Sequence, residues 1–525
     1  MLLYIHVPFC AKKCHYCSFF SLPTSSLSIS EEFKPSLTLL SQPSALYDSS
    51  SIQNKSIPTA KAKTSSVQSL SAFLTGREIE KNSTITIKSD KPTITLADAF
   101  LSKEQAAHLK NKLGISNSQP QQIIEKKVER MKLPSSFSMN FKEEHPLLTS
   151  SEYALWKKTI LQELSILADF YHNKPITSIF FGGGTPSYIP LADIEQILFH
   201  IIGKFSVLDN AEITIECNPE SLSNYKALAY NKMGFNRASL GVQSLNNKHL
   251  NIMGRPHSAM QAYQAFHHLR TAGFQNLSLD FIWALPTQRL RTWTDDIKAA
   301  IKLDPEHISA YGLSIEQGTK FDMLDKEGKL EFASEMEQSQ MYKSGANLLE
   351  EAGYMQYEIS NYAKMGYQCK HNLGYWLGDD YLGAGPSGAS TVNHIRRTHA
   401  PNIENWAVDI ATCLAQDLKD LEKGKICTTS SYTTEKLNKV EQICELLMLR
   451  LRTSKGLNVS EYQALTGKVF LKEHNKLIQL LDQNNLMRMK NGYAYFTRAG
   501  MLVSNSILEH FFKAIREKYE KLELQ

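Results

Sequence analysis

Three cysteines near the start of the chain are spaced closely enough to do metal chemistry. Cys10, Cys14 and Cys17 form a C-x3-C-x2-C array in CAKKCHYC. An iron-sulfur cube held by three thiolates keeps one iron open, which could bind a small chelating molecule. A zinc site that also uses His6 or His15, or a set of ordinary buried thiols, remain alternatives because spacing alone does not define metal geometry.

The bulk composition is that of a globular protein with little net charge. The 525 residues are 42% hydrophobic, which allows real cores in more than one domain. A net charge of +5 over this length does not indicate a nucleic-acid partner. The apolar opening is too short for a secretory signal and no apolar run approaches a membrane span, which predicts a cytoplasmic protein. In that reducing compartment the eight cysteines need not pair, so the clustered three favour metal binding.

A serine-rich stretch separates the cysteine array from the rest of the chain. Residues 1–20 are predicted to be a first buried strand and the cysteine loop that follows it. Residues 21–149 are rich in Ser, Thr and Lys with little apolar periodicity, which predicts a low-complexity, largely disordered insertion. Local patterns inside it indicate a hairpin and two helices, over 84–96, 98–113 and 121–133. The insertion could be a lid over the cysteines or a dispensable surface segment.

A regular alternation of strand and helix patterns follows the insertion. Thr149 and Glu152 resemble a capping box ahead of a first helix. The pattern then predicts strands over 177–181, 211–216, 237–242, 277–283 and 307–314, and helices over 191–204, 221–233, 258–272 and 292–302. With the first strand these make six β/α units. The fold class is therefore α/β, a partial (β/α)6 barrel with its chemistry at the carboxyl ends of the strands, occupying 1–20 and 150–390.

The ends of these predicted strands carry residues that packing alone does not explain. The second strand runs into GGGTPS at 182–187, and the next three end near Glu216, Gln243 and Asp280. Because the carboxyl ends of parallel strands meet at one edge, we expect these groups to lie near the cysteines. A glycine turn alone is weak evidence, but polar residues at successive strand ends favour a binding site.

The C-terminal part, 391–525, is predicted to be a mainly helical domain with a β-hairpin. Helices over 434–452, 458–466 and 470–484 precede Asn491 and Gly492, a strong hairpin signal, so the domain resembles a winged helix. The weak net charge favours a packing role over DNA binding. Upstream, a helix over 335–351 and a strand over 354–363 precede a glycine-rich segment, 369–390, whose backbone should pack closely against a ligand or the barrel mouth.

Taken together, CAKKCHYC, GGGTPS, GVQS and LDFIWALP are similar to the radical S-adenosylmethionine superfamily, and specifically to its coproporphyrinogen III oxidase-like branch. The resemblance covers 1–20 and 150–515. It implies that Cys10, Cys14 and Cys17 hold a 4Fe-4S cluster whose open iron is chelated by S-adenosylmethionine. It further implies that Tyr4 and Tyr16 flank this cofactor.

The same resemblance implies further cofactor contacts, residue by residue. Contacts to the methionine end are implied for Gly183, Gly184 and Thr185. Methionine or ribose groups would be held by Glu216, Gln243, Arg255 and Asp280, and less specific positions near the adenine are Ser314 and Ala389. Polar side chains suit these roles because ribose hydroxyls and zwitterionic groups need hydrogen-bond partners in a buried pocket.

Within the branch, two departures separate this chain from the oxygen-independent coproporphyrinogen III dehydrogenases. Those enzymes carry a further cysteine two residues after the third ligand, where this chain has Phe19. They also carry an N-terminal extension, whereas this sequence starts almost at the first strand. The chain resembles instead the heme chaperone group called HemW, which shares CxF after the cluster and an HNxxYW motif, here His371, Asn372, Tyr375 and Trp376.

The motif has a plausible role in heme binding. A histidine can ligate heme iron and aromatic rings can lie against a porphyrin, so His371, Tyr375 and Trp376 are candidate heme contacts. The alternative is a buried histidine that is hydrogen-bonded in a tight loop.

The leading hypothesis is a heme chaperone-like protein that binds a 4Fe-4S cluster, S-adenosylmethionine and heme and delivers heme to acceptor proteins, with membrane respiratory enzymes among the candidates. The alternative is a coproporphyrinogen III dehydrogenase that uses a deoxyadenosyl radical. A third hypothesis is an interaction protein with a vestigial cluster. No catalytic residue is assigned, and an electron donor, a homodimer and peripheral membrane association are further expectations.

Overall fold

A twelve-stranded sheet runs through the structure, a computed structural model that describes residues 1–26, 146–422 and 432–523. Six strands are neighbours in chain order and pair in parallel: β1 (Leu2–Val7), β2 (Pro175–Gly183), β3 (Ser206–Cys217), β4 (Arg237–Gln243), β5 (Leu277–Trp283) and β6 (His307–Gly312). The six predicted β/α units are therefore confirmed. The sheet order is linear, so the barrel is open, as predicted.

Helices cover the outer face of these strands, which is why the strands are apolar along most of their length. They are α1 (Ser151–Tyr171), α2 (Leu191–Lys204), α3 (Asn224–Met233), α4 (Asn247–Met253), α5 (Ala259–Thr271) and α6 (Leu290–Leu303). All but α4 were predicted. The predicted cap of α1 was wrong by one residue: Ser150, not Thr149, accepts the hydrogen bond from the Tyr153 N–H, because the chain before it is a 3-10 turn.

The sheet extends beyond the six strands at both ends. After α7 (Lys320–Lys326) and α8 (Glu335–Glu351), two short antiparallel strands, β7 (Met355–Gln356) and β8 (Asn361–Ala363), continue it past β6. The predicted single strand over 354–363 was therefore wrong, because the chain turns back on itself. After α9 (Lys370–Trp376), β9 (Tyr381–Ala384) pairs in parallel with β1.

Three antiparallel strands then extend the β9 side of the sheet: β10 (Ala389–Val392), β11 (Ile395–His399) and β12 (Tyr432–Lys436). Between β11 and β12, α10 (Ile403–Thr412) and α11 (Leu414–Glu422) pack on α1. The predicted helix start at 434 was wrong. Pairing with β11 holds this segment as a strand, and α12 (Lys439–Leu451) begins after Asn438, whose side chain forms a capping box with Glu441.

The C-terminal helices and hairpin form a second core. They are α12, α13 (Val459–Thr466), α14 (Phe470–Glu473), α15 (Asn475–Gln483), α16 (Arg498–Leu502) and α17 (Ser504–Glu523), with a small sheet of β13 (Leu457–Asn458), β15 (Tyr493–Phe496) and β14 (Met487–Lys490) in that order. The predicted hairpin is confirmed, and both turn residues, Asn491 and Gly492, have positive φ. The predicted helix over 470–484 is interrupted at His474.

The cores are built from large buried side chains. Trp156, Trp293 and Trp406 are fully buried in the barrel core, and Phe470 and Phe511 lie in the C-terminal core. Residues 27–145 of the predicted insertion, with its local elements, lie outside the described residues. The predicted disorder was wrong at its two ends, because Leu22–Pro23 pairs in parallel with Phe9–Cys10 and Pro146–Thr149 forms a 3-10 turn. Among the helices that the structure describes, none is long and apolar enough to cross a membrane.

Candidate functional site

The cysteine array emerges from the centre of the sheet, at the carboxyl end of β1. Its loop is tied to the glycine turn that follows β2: the Gly184 N–H donates to the Val7 carbonyl (2.7 Å) and the Thr185 N–H donates to the Phe9 carbonyl (2.8 Å). A Cβ on Gly184 would lie 2.7 Å from each of the Val7 and Phe9 carbonyl oxygens. The close approach of the two loops therefore requires glycine at position 184.

The three cysteines are free, partly buried thiols with hydrogen-bond donors aimed at two of their sulfur atoms. Thr185 Oγ1 donates to Cys10 Sγ (3.3 Å), and Arg255 Nη1 donates to Cys14 Sγ (3.6 Å). Burial raises the pKa of Cys10, while the Thr185 hydroxyl acts in the opposite direction. Donors of this kind stabilise the thiolate, which is the form that ligates iron, so the residues fit a cluster held by three cysteines.

The histidines near the array do not offer a fourth metal ligand in this arrangement. The ring nitrogens of His6 are hydrogen-bonded to the Tyr4 hydroxyl (3.2 Å) and the Phe20 carbonyl (2.9 Å). Those of His15 are bonded to the Ile252 carbonyl (2.8 Å) and to Nζ of Lys320 (3.2 Å). Because a structural zinc site is closed by four ligands, these contacts disfavour the zinc alternative.

Asn218 links the two side chains that donate to the cysteine sulfurs. It was not identified as a site residue from the sequence. Its Nδ2 donates to Thr185 Oγ1 (3.0 Å), and its Oδ1 accepts from Arg255 Nη2 (2.8 Å). Hydrogen bonds thus run continuously from Cys10 to Cys14 through Thr185, Asn218 and Arg255, which we call the sulfur-donor network. The available signal was the position of Asn218 directly after β3, in ECNPE, but an asparagine before proline is also typical of a turn.

Arg255 is buried and remains a cation. Burial alone would lower its pKa, but nearby Tyr16, Cys14 and Glu220 raise it above the usual value. A third guanidinium hydrogen bond goes to the Gly241 carbonyl (2.9 Å). The side chain therefore places a fixed positive charge beside the cysteine array.

Two acids from neighbouring parts of the sheet have different environments. Asp280 accepts hydrogen bonds from three serine hydroxyls, those of Ser239 (2.8 Å), Ser278 (3.0 Å) and Ser309 (2.7 Å). Glu216 accepts one from the Gly183 N–H (3.2 Å), and burial, with Asp280 adding to it, raises its pKa to about 8. Glu216 is thus largely protonated at neutral pH, and a cation bound beside it would favour its ionised form.

The remaining predicted cofactor contacts differ in how close they lie to Glu216 and Arg255. Burial, with the neighbouring Glu216 adding to it, raises the pKa of Tyr4 well above its usual value. Gln243 ends β4 with a φ of 64°, and its amide borders Gly241 on the side of Arg255. Ala389 begins β10, with its backbone against Gly383. Ser314 is exposed beyond the end of β6.

The HNxxYW motif forms α9, and its histidine is enclosed. His371 is only 1% exposed. Its Nδ1 is hydrogen-bonded to the Ser178 hydroxyl (2.8 Å), its Nε2 to the Tyr375 hydroxyl (3.0 Å), and its ring stacks on Phe180. Burial lowers the pKa of His371 to about 3, so the ring is neutral. Trp376 is partly buried, and its carbonyl accepts from Arg450 (2.6 Å).

A large cavity lies beside the site, between the β9–β11 edge of the barrel and α12. Its volume is about 890 Å³. The wall includes Tyr4 and Ala389 from the predicted cofactor contacts, Phe19 from the cysteine loop and Tyr375 from the HNxxYW motif. The cavity therefore connects groups that the sequence assigned separately to the cofactor and to heme.

Comparisons with known proteins agree with this arrangement. The model of the radical SAM superfamily matches residues 150–300, and that of the HemN C-terminal domain matches residues 437–503. Among solved structures, the radical SAM enzyme coproporphyrinogen III oxidase (HemN) from Escherichia coli superposes with a TM-score of 0.57 at 19% identity, covering 68% of this chain and 83% of that one. This similarity shows a shared fold.

Sequence relatives define the group more narrowly. A protein named heme chaperone HemW from Synechocystis sp. is 30% identical over 372 residues, 66% of this chain and 86% of the relative. Its namesake from Haemophilus influenzae is 32% identical, again over 66% of this chain and 86% of the relative. Radical S-adenosyl methionine domain-containing protein 1, mitochondrial, from Danio rerio is 32% identical over 57% of this chain and 66% of the relative. The chain therefore belongs to the HemW group of the radical S-adenosylmethionine superfamily.

Proposed function

We propose that this protein is a heme chaperone, which binds heme together with a 4Fe-4S cluster and S-adenosylmethionine and delivers the heme to acceptor proteins. The observation that carries the proposal is the 30–32% identity to proteins named heme chaperone over 86% of their length. Phe19, at the position where the dehydrogenases have a cysteine, supports the same choice.

In this proposal the barrel holds the cluster and its cofactor. Cys10, Cys14 and Cys17 would be the cluster ligands, and the sulfur-donor network would orient two of them. When bound, the cluster would supply an open iron that the amino and carboxylate groups of S-adenosylmethionine could chelate. Glu216 would take the positive charge of that cofactor, and Asp280 would accept from its hydroxyl groups.

Heme would bind in the cavity that joins the cysteine loop, α9 and α12. A cavity of about 890 Å³ is within the roughly 300–1,000 Å³ range of small-molecule sites. Tyr375 contributes a ring to its wall, which supports a contact between the HNxxYW motif and a porphyrin.

The proposed partners and location follow the same reasoning. The acceptors would be heme proteins, with membrane respiratory enzymes as the first class to test. The protein would act in the cytoplasm with peripheral association at the membrane. An electron donor would be required if the cluster is reduced in the function, and a homodimer is the oligomeric state to test.

Two measurements on the anaerobically reconstituted protein test the proposal. Hemin titration followed by the Soret band should saturate at one hemin per chain. Incubation with coproporphyrinogen III, S-adenosylmethionine and a strong reductant should leave the substrate unconverted. Efficient conversion to protoporphyrinogen IX would overturn the chaperone proposal in favour of the dehydrogenase, and so would the absence of saturable hemin binding.

A further inference from the structure

The cavity beside α9 has the surface of a site for a large apolar ligand. Phe19 is 63% exposed and Leu377 is 42% exposed, yet both line the same cavity. Met448 and Leu449 from α12 and the ring of Tyr381 extend this apolar wall. Contiguous exposed apolar side chains around a cavity are typical of a ligand site, because water is a poor partner for them.

Two histidines line this cavity, and they differ in whether their ring nitrogens are available. His6 is buried and hydrogen-bonded through both nitrogens, and burial lowers its pKa to about 4. His394 is exposed, and within the described residues no hydrogen bond engages its imidazole. Of the two, His394 is the one whose nitrogen can approach a bound ligand without losing another contact.

The backbone at His394 has a left-handed conformation. The turn between β10 and β11 consists of Asn393 and His394, and both have positive φ, 52° and 62°. Two-residue hairpin turns of this kind prefer Asn-Gly because a side chain at positive φ is strained. Asn, Asp and His are the non-glycine residues that adopt positive φ most often, so this turn accommodates His394 in the cavity lining.

His371 has the opposite character. Ligating a metal through either nitrogen would break its hydrogen bond to Ser178 or to Tyr375, in a position that is 1% exposed. Its bond to the Tyr375 hydroxyl instead fixes the ring of Tyr375, which also meets Tyr381 edge to face at 4.7 Å. Both tyrosine rings are part of the cavity wall.

We propose that His394 supplies the imidazole that ligates heme iron in this cavity, and that His371 is a positioning residue that holds Tyr375 against the porphyrin. The inference rests on the heme binding proposed above. An imidazole nitrogen is a common axial ligand of heme iron.

Hemin titration of the cluster-reconstituted wild type, His394→Ala, His371→Ala and the control His267→Ala tests this assignment, since His267 is an exposed histidine on α5. His394→Ala should weaken hemin binding by about tenfold or more and shift the Soret band, and added imidazole should restore the wild-type spectrum. His371→Ala should weaken binding while keeping the histidine-ligated spectrum. His267→Ala should match the wild type.

The outcomes separate this inference from the proposed function. If wild type and His394→Ala bind hemin with the same affinity and spectrum, the ligand assignment is overturned while heme binding stands. Loss of the histidine-ligated spectrum in His371→Ala alone would overturn it in favour of His371. If the wild type itself fails to bind hemin, both the proposed function and this inference are overturned.

Discussion

Replacing Glu216 by glutamine removes a carboxyl group whose ionisation the fold opposes. Its pKa rises from 4.5 to about 8, first because of burial and second because of Asp280. Between these two pH values the carboxyl group is neutral in the folded protein but negatively charged in the unfolded chain. Its contribution to stability is therefore fully present below pH 4.5 and is lost as the pH rises through 8.

The size of the effect follows from the two pKa values. At about 1.36 kcal/mol per pKa unit, the wild type should lose at most about 4 kcal/mol between pH 5 and pH 8.5 through this group. Glu216 is partly accessible in the structure, so we expect about 2 kcal/mol. Glutamine keeps an acceptor for the Gly183 N–H but cannot ionise, so the Glu216→Gln variant should lack this loss.

Urea unfolding of the cofactor-free protein at pH 5 and pH 8.5 measures this difference. The variant should be more stable than the wild type at pH 8.5 and close to it at pH 5. Glu509→Gln, at an exposed position within α17, is the matched control and should change neither value. Equal losses of stability in the wild type and Glu216→Gln over this range would refute the account of the acid pair.

Three further substitutions test the site. Gly184→Ala should prevent cluster reconstitution, because the added Cβ would lie 2.7 Å from two backbone oxygens. The control Gly203→Ala has open space around its Cβ and should reconstitute normally. Iron analysis measures the difference, and equal iron content in the two variants would contradict the loop geometry. Asn218→Ala should weaken S-adenosylmethionine binding in equilibrium dialysis by roughly tenfold, as expected for an outer-shell partner, and unchanged binding would remove the role of the sulfur-donor network. Cys14→Ala should lower iron and sulfide after anaerobic reconstitution, and full cluster content would contradict the ligand assignment.

The parts of the fold that could be predicted from the sequence are those defined locally. The strand over 277–283 and the helix over 191–204 were predicted with their observed bounds, because buried apolar runs and one-sided helical periodicity identify these elements directly. The Asn491-Gly492 turn is a similarly local signal.

The elements that were missed depend on distant partners. The strand β9 is short and glycine-rich, and it exists because it pairs with β1 across more than three hundred residues of sequence. A helix was predicted to begin at 434, although pairing with β11 makes 432–436 a strand. In both cases tertiary pairing decides the structure against a weak local preference.

The residues of the candidate site also divide into those that local sequence patterns predict and those that depend on distant partners. Strand-end residues such as Glu216 were found because a parallel sheet gathers its carboxyl ends. Asn218 was missed because its role depends on Thr185, in the turn after β2, and on Arg255, which follows α4. Neither the enclosure of His371 nor the accessibility of His394 leaves a mark in the sequence, since both depend on how α9 and the β10–β11 turn pack.

The central claim is that this protein hands heme to an acceptor. The direct measurement is stopped-flow transfer of hemin from the loaded, reconstituted protein to the apo form of a respiratory cytochrome, followed by the acceptor's absorbance. A chaperone should transfer its hemin at a rate that rises with the acceptor concentration, because the two proteins meet before heme moves. A rate that does not depend on acceptor concentration, or no transfer at all, would contradict the account.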